Sequence, residues 1–314
     1  MLGRSANGIF WMARYLERAE NTARLLEAGF RMALTRGNNA ARDEWRSVLV
    51  AIGQDDLYLA SNRDYSGPLV TNHVLCAADN QGSVLGMIEQ ARANARAVRT
   101  ALTREVWEAI NEGWMILRDM LRPPIAESSL GDVLAAIRRQ TTLVRGAMDG
   151  TMLHNDILNF ARLGTYIERA DNTARILNVK YYALLPSLDL AGTSLDHAEW
   201  ETILSSVAGD RAYRWLNAGT LDSLGIARFL VLDERFPRSL AFCYVQIGKN
   251  LGDLARSYRA RTAAHDQWEE TSARLQHMEI KKIFEHSLQQ VMVDFIAANR
   301  DLGESIATTY RFVD

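Results

Sequence analysis

Two stretches of the sequence carry the same charged and amide side chains at the same spacing. Residues 13–26 read ARYLERAENTARLL, and residues 164–177 read GTYIERADNTARIL. Nine of the fourteen positions are identical, where unrelated stretches of ordinary composition would share about one. This similarity indicates an internal duplication. The repeated residues able to take part in binding are Glu17, Arg18, Asn21, Arg24, Glu168, Arg169, Asn172 and Arg175.

These side chains suit a ligand that carries an anionic group, an amine or both. Arginine offers a planar fork of donors to carboxylate or phosphate oxygens. Glutamate accepts hydrogen bonds from an amine, and asparagine both donates and accepts. Such a site could hold a peptide terminus, an amino acid, an acyl-phosphate oxygen or a loop of a partner protein. The pattern assigns no catalytic role to any of the eight residues.

Each repeated stretch is predicted to be a helix with one apolar and one polar face. Apolar residues recur at three- and four-residue intervals from Ile9 to Phe30 and from Phe160 to Tyr181, as on a helix that packs against a core. The Glu, Asn and Arg of each copy stand at i, i+4 and i+7, so they share one face. That face lies about 110–170° around the helix from the apolar stripe.

Three interpretations of the polar face remain open. The first is a solvated face with the ion pairs Glu20–Arg24 and Asp171–Arg175, worth about 0.3–0.5 kcal/mol each. The second is a structural network that locks two halves together. The third is a ligand or partner site. The Asn-Thr pair within each copy costs roughly half a kcal/mol per residue relative to alanine, which favours the second and third interpretations.

The rest of the chain predicts an all-α fold, a multi-helix bundle built from two pseudo-symmetric halves. Helical periodicity runs nearly throughout and no convincing strand is found. The loop at 61–68 and the proline pair at 123–124 break it. A single domain over 1–314 is expected, with repeat-related halves of about 1–122 and 125–314. Asn155 and Pro237 are expected at helix starts. The predicted helices span about 5–35, 41–60, 69–79, 83–121, 129–150, 155–185, 195–208, 220–232, 237–262 and 267–310, the last one broken.

Composition and missing motifs exclude several classes of protein. A formal net charge of −2 gives no basic field for nucleic acid or for an anionic membrane. No apolar run is long enough for a membrane span or a secretory signal. Two cysteines in helical contexts favour buried free thiols over a disulfide between them, and they fit a cytoplasmic location. We expect no cofactor, because the common phosphate-binding loops are missing, and no metal site, because the six histidines lack the spacing of metal ligands. The histidines are expected at the surface or in helix caps.

A second arginine cluster also has two interpretations. Arg92, Arg96 and Arg99 fall at i, i+4 and i+7, and Trp107 and Trp114 follow seven residues apart. The set is typical of a solvated basic face beside a core tryptophan stripe. It also suits a docking surface for an acidic partner, or a wall of the polar site.

The motifs resemble those of the bacterial alpha-E family, a purely helical family named for its Glu-Arg motif. The resemblance lies in MLGRSANGIFWMARYLERAENTARLL at the start, in ARLGTYIERADNTARIL, and in segments 90–114 and 236–243. It covers essentially the whole chain. One departure is that Arg14 has no counterpart in the second copy, where Thr165 stands, so a site built by the two motifs would be asymmetric.

The resemblance implies a function through context. Family members occur alongside, or fused to, circularly permuted ATP-grasp ligases, and near transglutaminase-like peptidases. This implies a role in making or modifying peptides by ATP-dependent amide formation, with no catalytic chemistry firmly assigned to the helical domain itself.

Three hypotheses for function follow. The favoured one is an accessory subunit that binds an ATP-grasp-type carboxylate–amine ligase and helps to hold its peptide or amino-acid substrate. The second is a stand-alone amide-forming or amide-transferring enzyme with Glu17 or Glu168 as base. The third is a structural module whose Glu-Arg motifs only join the two halves. Neither nucleic acid nor membrane is expected as a partner.

Overall fold

The chain folds into helices throughout the part that the structure describes. The computed structural model describes residues 3–35, 38–61, 63–184, 194–217, 221–279 and 288–312. Within these ranges the elements are helices and no strand occurs, so the predicted all-α fold class is confirmed. Fourteen α-helices lie in the described ranges: α1 (Gly3–Thr35), α2 (Asn38–Ala51), α3 (Asp55–Leu59), α4 (Gly67–Cys76), α5 (Val84–Ala97), α6 (Arg104–Met120), α7 (Glu127–Thr151), α8 (Asp156–Leu184), α9 (Ser194–Ser206), α10 (Asp210–Leu216), α11 (Ser223–Leu232), α12 (Leu240–Tyr258), α13 (Ala263–Gln276) and α14 (Leu288–Thr309).

Two of the long helices expected from periodicity are divided. The predicted helix 41–60 is wrong, because α2 ends at Ala51 and α3 begins at Asp55. Gly53 between them has φ +71°, a left-handed conformation that ends a helix and favours glycine. The predicted helix 83–121 is also wrong. It is divided between α5 and α6, where Thr103 accepts a hydrogen bond from the Val106 N–H and begins a new helix.

Two further expectations about helix ends have opposite outcomes. Asn155 is confirmed at the start of α8, since its side chain accepts from the Ile157 N–H at 3.0 Å. Pro237 is not in a first helical turn. Ser239 caps α12 instead, by accepting from the Phe242 N–H at 3.0 Å. Helix α10 was not predicted at all.

The two helices that carry the repeated phrase lie side by side at the centre of the bundle. Helix α1 packs against α2, α5, α7, α8 and α9, and helix α8 packs against α2, α9, α12 and α14. The predicted apolar stripes are buried from Ile9 to Leu26 and from Phe160 to Leu177, whereas Phe30 is half-buried and the side chain of Tyr181 lies outside the described residues.

Small residues let α1 and α8 approach each other closely. Ala19, Ala23, Ala170 and Ala174 of the predicted stripes are fully buried. Gly164 marks the closest approach, since a Cβ there would lie 2.3 Å from the carbonyl oxygen of residue 10 on α1. Helix axes this close bring the polar residues of each repeated phrase within hydrogen-bonding distance of the opposite helix.

The helices that flank this pair also carry matching residues. Helix α2 holds a buried Glu44-Trp45 pair, and α9 holds a buried Glu199-Trp200 pair 155 residues later. Helix α2 packs against both α1 and α8, and so does α9. The similarity of sequence therefore extends beyond the repeated phrase.

Candidate functional site

The Glu-Arg motifs of α1 and α8 bind each other reciprocally. Arg18 donates from Nε and Nη2 to the two carboxylate oxygens of Glu168, at 2.6 and 2.8 Å. Arg169 donates in the same way to the two oxygens of Glu17, at 2.8 and 2.9 Å. Each pair is a bidentate, charge-assisted contact between helices. The adjacent Glu and Arg of one motif thus engage the adjacent Arg and Glu of the other.

Glu17 lies at the centre of a buried ion network. Besides Arg169, it accepts from Arg145 Nη1 of α7 at 2.9 Å and from Arg238 Nη1, which precedes α12, at 3.1 Å. The Glu17 side chain is 1% exposed and that of Arg238 is 9% exposed. Three guanidinium groups from three parts of the chain therefore surround one buried carboxylate.

Glu20 is a second buried acid in this network that the sequence did not single out as a site residue. It accepts from Arg24 at 2.8 Å, from Arg145 at 2.5 Å and from Arg238 at 2.7 Å. The signal was present, because an acid recurs at this position of the second copy as Asp171. The predicted pairs Glu20–Arg24 and Asp171–Arg175 are confirmed.

The network around Glu168 is smaller, and it differs as the missing arginine in the second copy suggested. Arg14 of α1 donates from Nε to Glu168 at 2.9 Å. Thr165, at the corresponding position of α8, donates instead to the carbonyl oxygen of Ala161 in its own helix. Glu17 therefore has three arginine partners and Glu168 has two among the described residues.

The electrostatics keep both motif glutamates ionised. Burial alone would raise the pKa of Glu17, but Arg169, Arg238 and Arg145 outweigh it and hold that pKa far below its ordinary value. For Glu168, burial also opposes ionisation, and its arginine partners again lower the pKa. Both carboxylates are hydrogen-bonded anions with lowered pKa values, which makes them weak proton acceptors near neutral pH.

An open cleft lies beside Glu168, on one side of the α1–α8 pair. Its volume is about 360 Å³. Arg18 and Asn21 of α1 line one wall, and Asp171, Asn172 and Arg175 of α8 line the other. The 51–54 turn, Gly82 and Met87 complete it. The side chains of Arg18 and Arg175 are 37% and 39% exposed, so a ligand in the cleft could contact both.

Two amide side chains in the cleft have unused hydrogen-bonding capacity. Asn21 is 2% exposed and its Nδ2 has no hydrogen-bond partner among the described residues. Its Oδ1 accepts from Arg238 Nη1 at 2.5 Å. Asn172 makes no side-chain hydrogen bond to any described residue and also lines the cleft. An unpaired buried group such as Asn21 Nδ2 costs about 1–3 kcal/mol, whereas Asn172 is half-buried and its unused groups face the cleft.

A series of hydrogen bonds joins the segments that form the cleft wall opposite the two helices. Gln54 donates to the carbonyl oxygen of Gly82 at 2.8 Å, and Asn80 donates to Gln54 Oε1 at 2.9 Å. Asn80 also donates to the carbonyl oxygen of His73 at 3.0 Å. His73 is buried, so its expected place at the surface or in a cap is wrong.

The structure brings all eight predicted site residues into one region, in two groups. Arg18, Asn21, Glu168, Asn172 and Arg175 line the cleft. The other three, Glu17, Arg24 and Arg169, belong to the network on the other side of the helix pair. The interpretation as a solvated face is wrong for Glu17, Asn21, Glu168 and Arg169, which are buried. Sequence reasoning missed Arg145 and Arg238, and it named Glu20, Asp171 and Arg14 without including them among the site residues.

The second arginine cluster lies outside this region. The guanidinium of Arg92 stacks 4.0 Å from the ring centre of Trp114, with Arg118 at 4.5 Å. Arg99 lies 5.3 Å from the ring centre of Trp107. These cation–π contacts occupy the arginines structurally, and none of these residues lines the cleft. A docking role for this face stays a prediction.

In the described ranges, His, Cys, Asp and Glu side chains form no group of three or more that could hold a metal ion. His286 and the side chain of His197 lie outside these ranges. His265 caps α13, as expected for a capping histidine. Cys76 and Cys243 are confirmed as buried free thiols. In the described part of the chain, no helix has the length and apolarity needed to cross a bilayer.

Comparison with known proteins assigns a family but no activity. Residues 1–310 match the Alpha-E family, described as "a predicted alpha-helical domain with a conserved ER motif". Uncharacterized protein Mb2597 of Mycobacterium bovis is 23% identical over 330 residues, and Uncharacterized protein Rv2567 of Mycobacterium tuberculosis is 22% identical. Each match covers 98% of this chain and 36% of the relative, so the chain spans about a third of their length. No solved structure matches.

Proposed function

The chain belongs to the Alpha-E family, and from this premise we propose that it is a non-catalytic partner of an ATP-dependent carboxylate–amine ligase of the ATP-grasp type. In this role the cleft between α1 and α8 holds the peptide or amino-acid substrate of the ligase. The observation that carries the proposal is the cleft itself. It combines cationic, anionic and amide groups, some with unused hydrogen-bonding capacity, at the position of the family motif.

The chemistry of the cleft suits a small zwitterionic substrate. The half-exposed guanidiniums of Arg18 and Arg175 can receive a carboxylate, and Asp171 can receive an amine. Asn172 can donate or accept. A volume of about 360 Å³ lies at the lower end of the range for small-molecule sites, which fits one amino acid or the end of a peptide.

The length of the relatives supports a role beside another protein module. Most of each mycobacterial relative lies outside the part that matches this chain. A helical domain joined to more protein in those chains fits a function exercised together with a neighbouring domain.

A stand-alone catalyst is less well supported. The hypothesis required Glu17 or Glu168 as the base, but both are buried anions whose oxygens already accept two or more arginine hydrogen bonds. Their lowered pKa values make them poor proton acceptors.

Co-purification from the native host tests the proposal. We expect a stoichiometric partner with ATP-dependent carboxylate–amine ligase activity. The Arg175→Ala variant, which alters only the half-exposed edge of the cleft, should fold normally, keep the partner and lower ligase activity at subsaturating substrate. The proposal would be refuted if the chain purified without such a partner, or if Arg175→Ala left substrate saturation unchanged. The variant Arg31→Ala, on an exposed pair with Glu27, is the matched control.

A further inference from the structure

The backbone around the cleft recurs on the opposite side of the α1–α8 pair. Residues 77–87 and residues 233–243 make the same three backbone hydrogen bonds, 156 positions apart, and both segments lead into a helix capped by a serine, Ser83 or Ser239. The turns at 49–58 and 204–213 likewise share three backbone hydrogen bonds at a spacing of 155 residues. Each side of the helix pair is therefore enclosed by the same two backbone turns.

One residue distinguishes the two sides. The residue before the cap is Gly82 on the cleft side and Arg238 on the other. The Arg238 side chain extends into the space beside the α1–α8 pair on its side and is almost fully buried there. Gly82 has no side chain and lines the open cleft. The cleft thus exists where the chain lacks the arginine that fills the corresponding space.

The groups that receive Arg238 show what the cleft is built to receive. The guanidinium of Arg238 donates to Glu17 at 3.1 Å, to Asn21 at 2.5 Å and to Glu20 at 2.7 Å. These three residues belong to the repeated phrase. Their counterparts 151 positions later all line the cleft, and they are Glu168, Asn172 and Asp171.

We propose that the cleft binds the guanidinium group of an arginine-containing ligand. Glu168, Asp171 and Asn172 supply the acceptors, in the arrangement that their counterparts present to Arg238. The proposal deepens the function proposed above, because it names the class of substrate that the cleft would hold.

The acceptors in the cleft have fewer cationic partners than their counterparts on the other side. Asn172 has no side-chain partner among the described residues, whereas its counterpart Asn21 accepts from Arg238. Burial, only partly offset by Arg175, raises the pKa of Asp171. Burial and Glu17 also act to raise the pKa of Glu20, but the added guanidinium of Arg238 helps to lower it.

Nearby arginines do not prevent a further guanidinium from binding. Arg238 itself lies in a network that includes Arg169, Arg145 and Arg24. Burial lowers the pKa of Arg238 to about 10, so the group stays protonated at neutral pH.

Isothermal titration calorimetry with the whole isolated chain tests this inference. The probe is L-arginine, with L-citrulline as the neutral isostere and L-lysine as an amine of similar length. We expect saturable binding of one L-arginine and at least roughly tenfold weaker binding of L-citrulline. N-acetyl-L-arginine amide distinguishes a free amino acid from an arginine residue in a peptide. If this probe keeps the affinity of L-arginine, the ligand is an arginine residue within a peptide. If it loses that affinity, the ligand is the free amino acid. No saturable binding of any arginine probe up to about 10 mM would overturn the inference.

Variants place the binding in the cleft. Gly82→Arg combined with Gln54→Gly gives the cleft the residues found at the corresponding positions of the filled side, Arg238 and Gly209. The second substitution makes room, because a Cβ at Gly82 would lie 3.0 Å from Gln54 Nε2. We expect this double variant to lose L-arginine binding. Gly131→Arg, at an exposed glycine with nothing within 4 Å of a Cβ, is the matched control and should bind as the wild type does.

Two more variants cover the possibility that the double variant fails to fold. Asn172→Leu keeps the volume of a cleft residue and should weaken L-arginine binding roughly tenfold. Arg238→Gly opens the second side, so it should bind two L-arginine molecules and gain more thermal stability from them than the wild type. Unchanged affinity in Asn172→Leu would overturn the inference. Arginine binding without a ligase partner would refute only the proposed function, and a ligase partner without arginine binding would refute only this inference.

Discussion

Replacing Arg169 with alanine should destabilise the fold strongly, because it leaves part of a buried ion pair behind. The Arg169 side chain is 8% exposed and makes two hydrogen bonds to Glu17, which is 1% exposed. Removing one partner of a buried pair costs about 3–5 kcal/mol. Glu17 keeps Arg145 and Arg238, so we expect a value near 3 kcal/mol.

The expected magnitude translates into measurable changes. The entropy of unfolding is about 2 cal/mol/K per residue, so a loss of ~3 kcal/mol lowers the Tm of a chain of this length by about 5 °C. Urea unfolding followed by circular dichroism at 222 nm gives the free energy directly. Arg175→Ala is the comparison. This arginine pairs within one helix and is 39% exposed, so its loss should cost about 1 kcal/mol or less.

The comparison separates a structural arginine from a cleft arginine. If the free energy of unfolding of Arg169→Ala were within about 1 kcal/mol of the wild-type value, the reciprocal pairs would not be the interaction that joins α1 to α8. The same conclusion would follow if Arg175→Ala were as destabilising as Arg169→Ala. The expected order of stability is wild type, then Arg175→Ala, then Arg169→Ala.

Three further predictions follow from burial and packing. In the folded chain, Glu17 and Glu168 have pKa values below the ordinary 4.5. Below about pH 4.5 the unfolded chain therefore binds more protons than the folded chain, and urea unfolding should show that stability falls as the pH decreases. Gly164→Ala should lower the Tm through a clash costing about 1–3 kcal/mol, whereas Gly146→Ala, with nothing within 4 Å of a Cβ, should be neutral or stabilising. Burial raises the pKa of the Cys243 thiol to about 12, so mass spectrometry after iodoacetamide treatment at pH 8 should find it alkylated only in urea.

The sequence predicted the helices and the convergence of the repeated motifs because both depend on local information. The Glu17 and Glu168 faces follow from helical spacing within one segment. The same information could not identify Arg145 and Arg238 as partners of Glu17, because only tertiary packing brings α7 and the start of α12 to α1. Periodicity also could not reveal the break after Ala51, since a single glycine in a left-handed conformation ends a helix without disturbing the apolar pattern.

From the sequence, the repeated polar residues could be assigned only to three alternatives, which are a solvated face, a structural network or a binding site. Asn21 and Asn172 are identical in the two copies of the phrase, yet one accepts from Arg238 and the other has no such partner. The difference originates at Gly82, which lies outside the phrase. A residue far away in sequence therefore decides which copy of the motif is filled and which is open.

The reciprocal pairing of α1 with α8 also sets an order of events during synthesis of the chain. The partners Glu17 and Arg169 are separated by 152 positions. At roughly 5–20 residues per second, a ribosome needs about 8–30 s to translate the intervening segment. During that interval α1 presents ionised side chains to water on the face that will later be buried. The charges that join the finished core thus also keep its first helix hydrated until the second helix emerges.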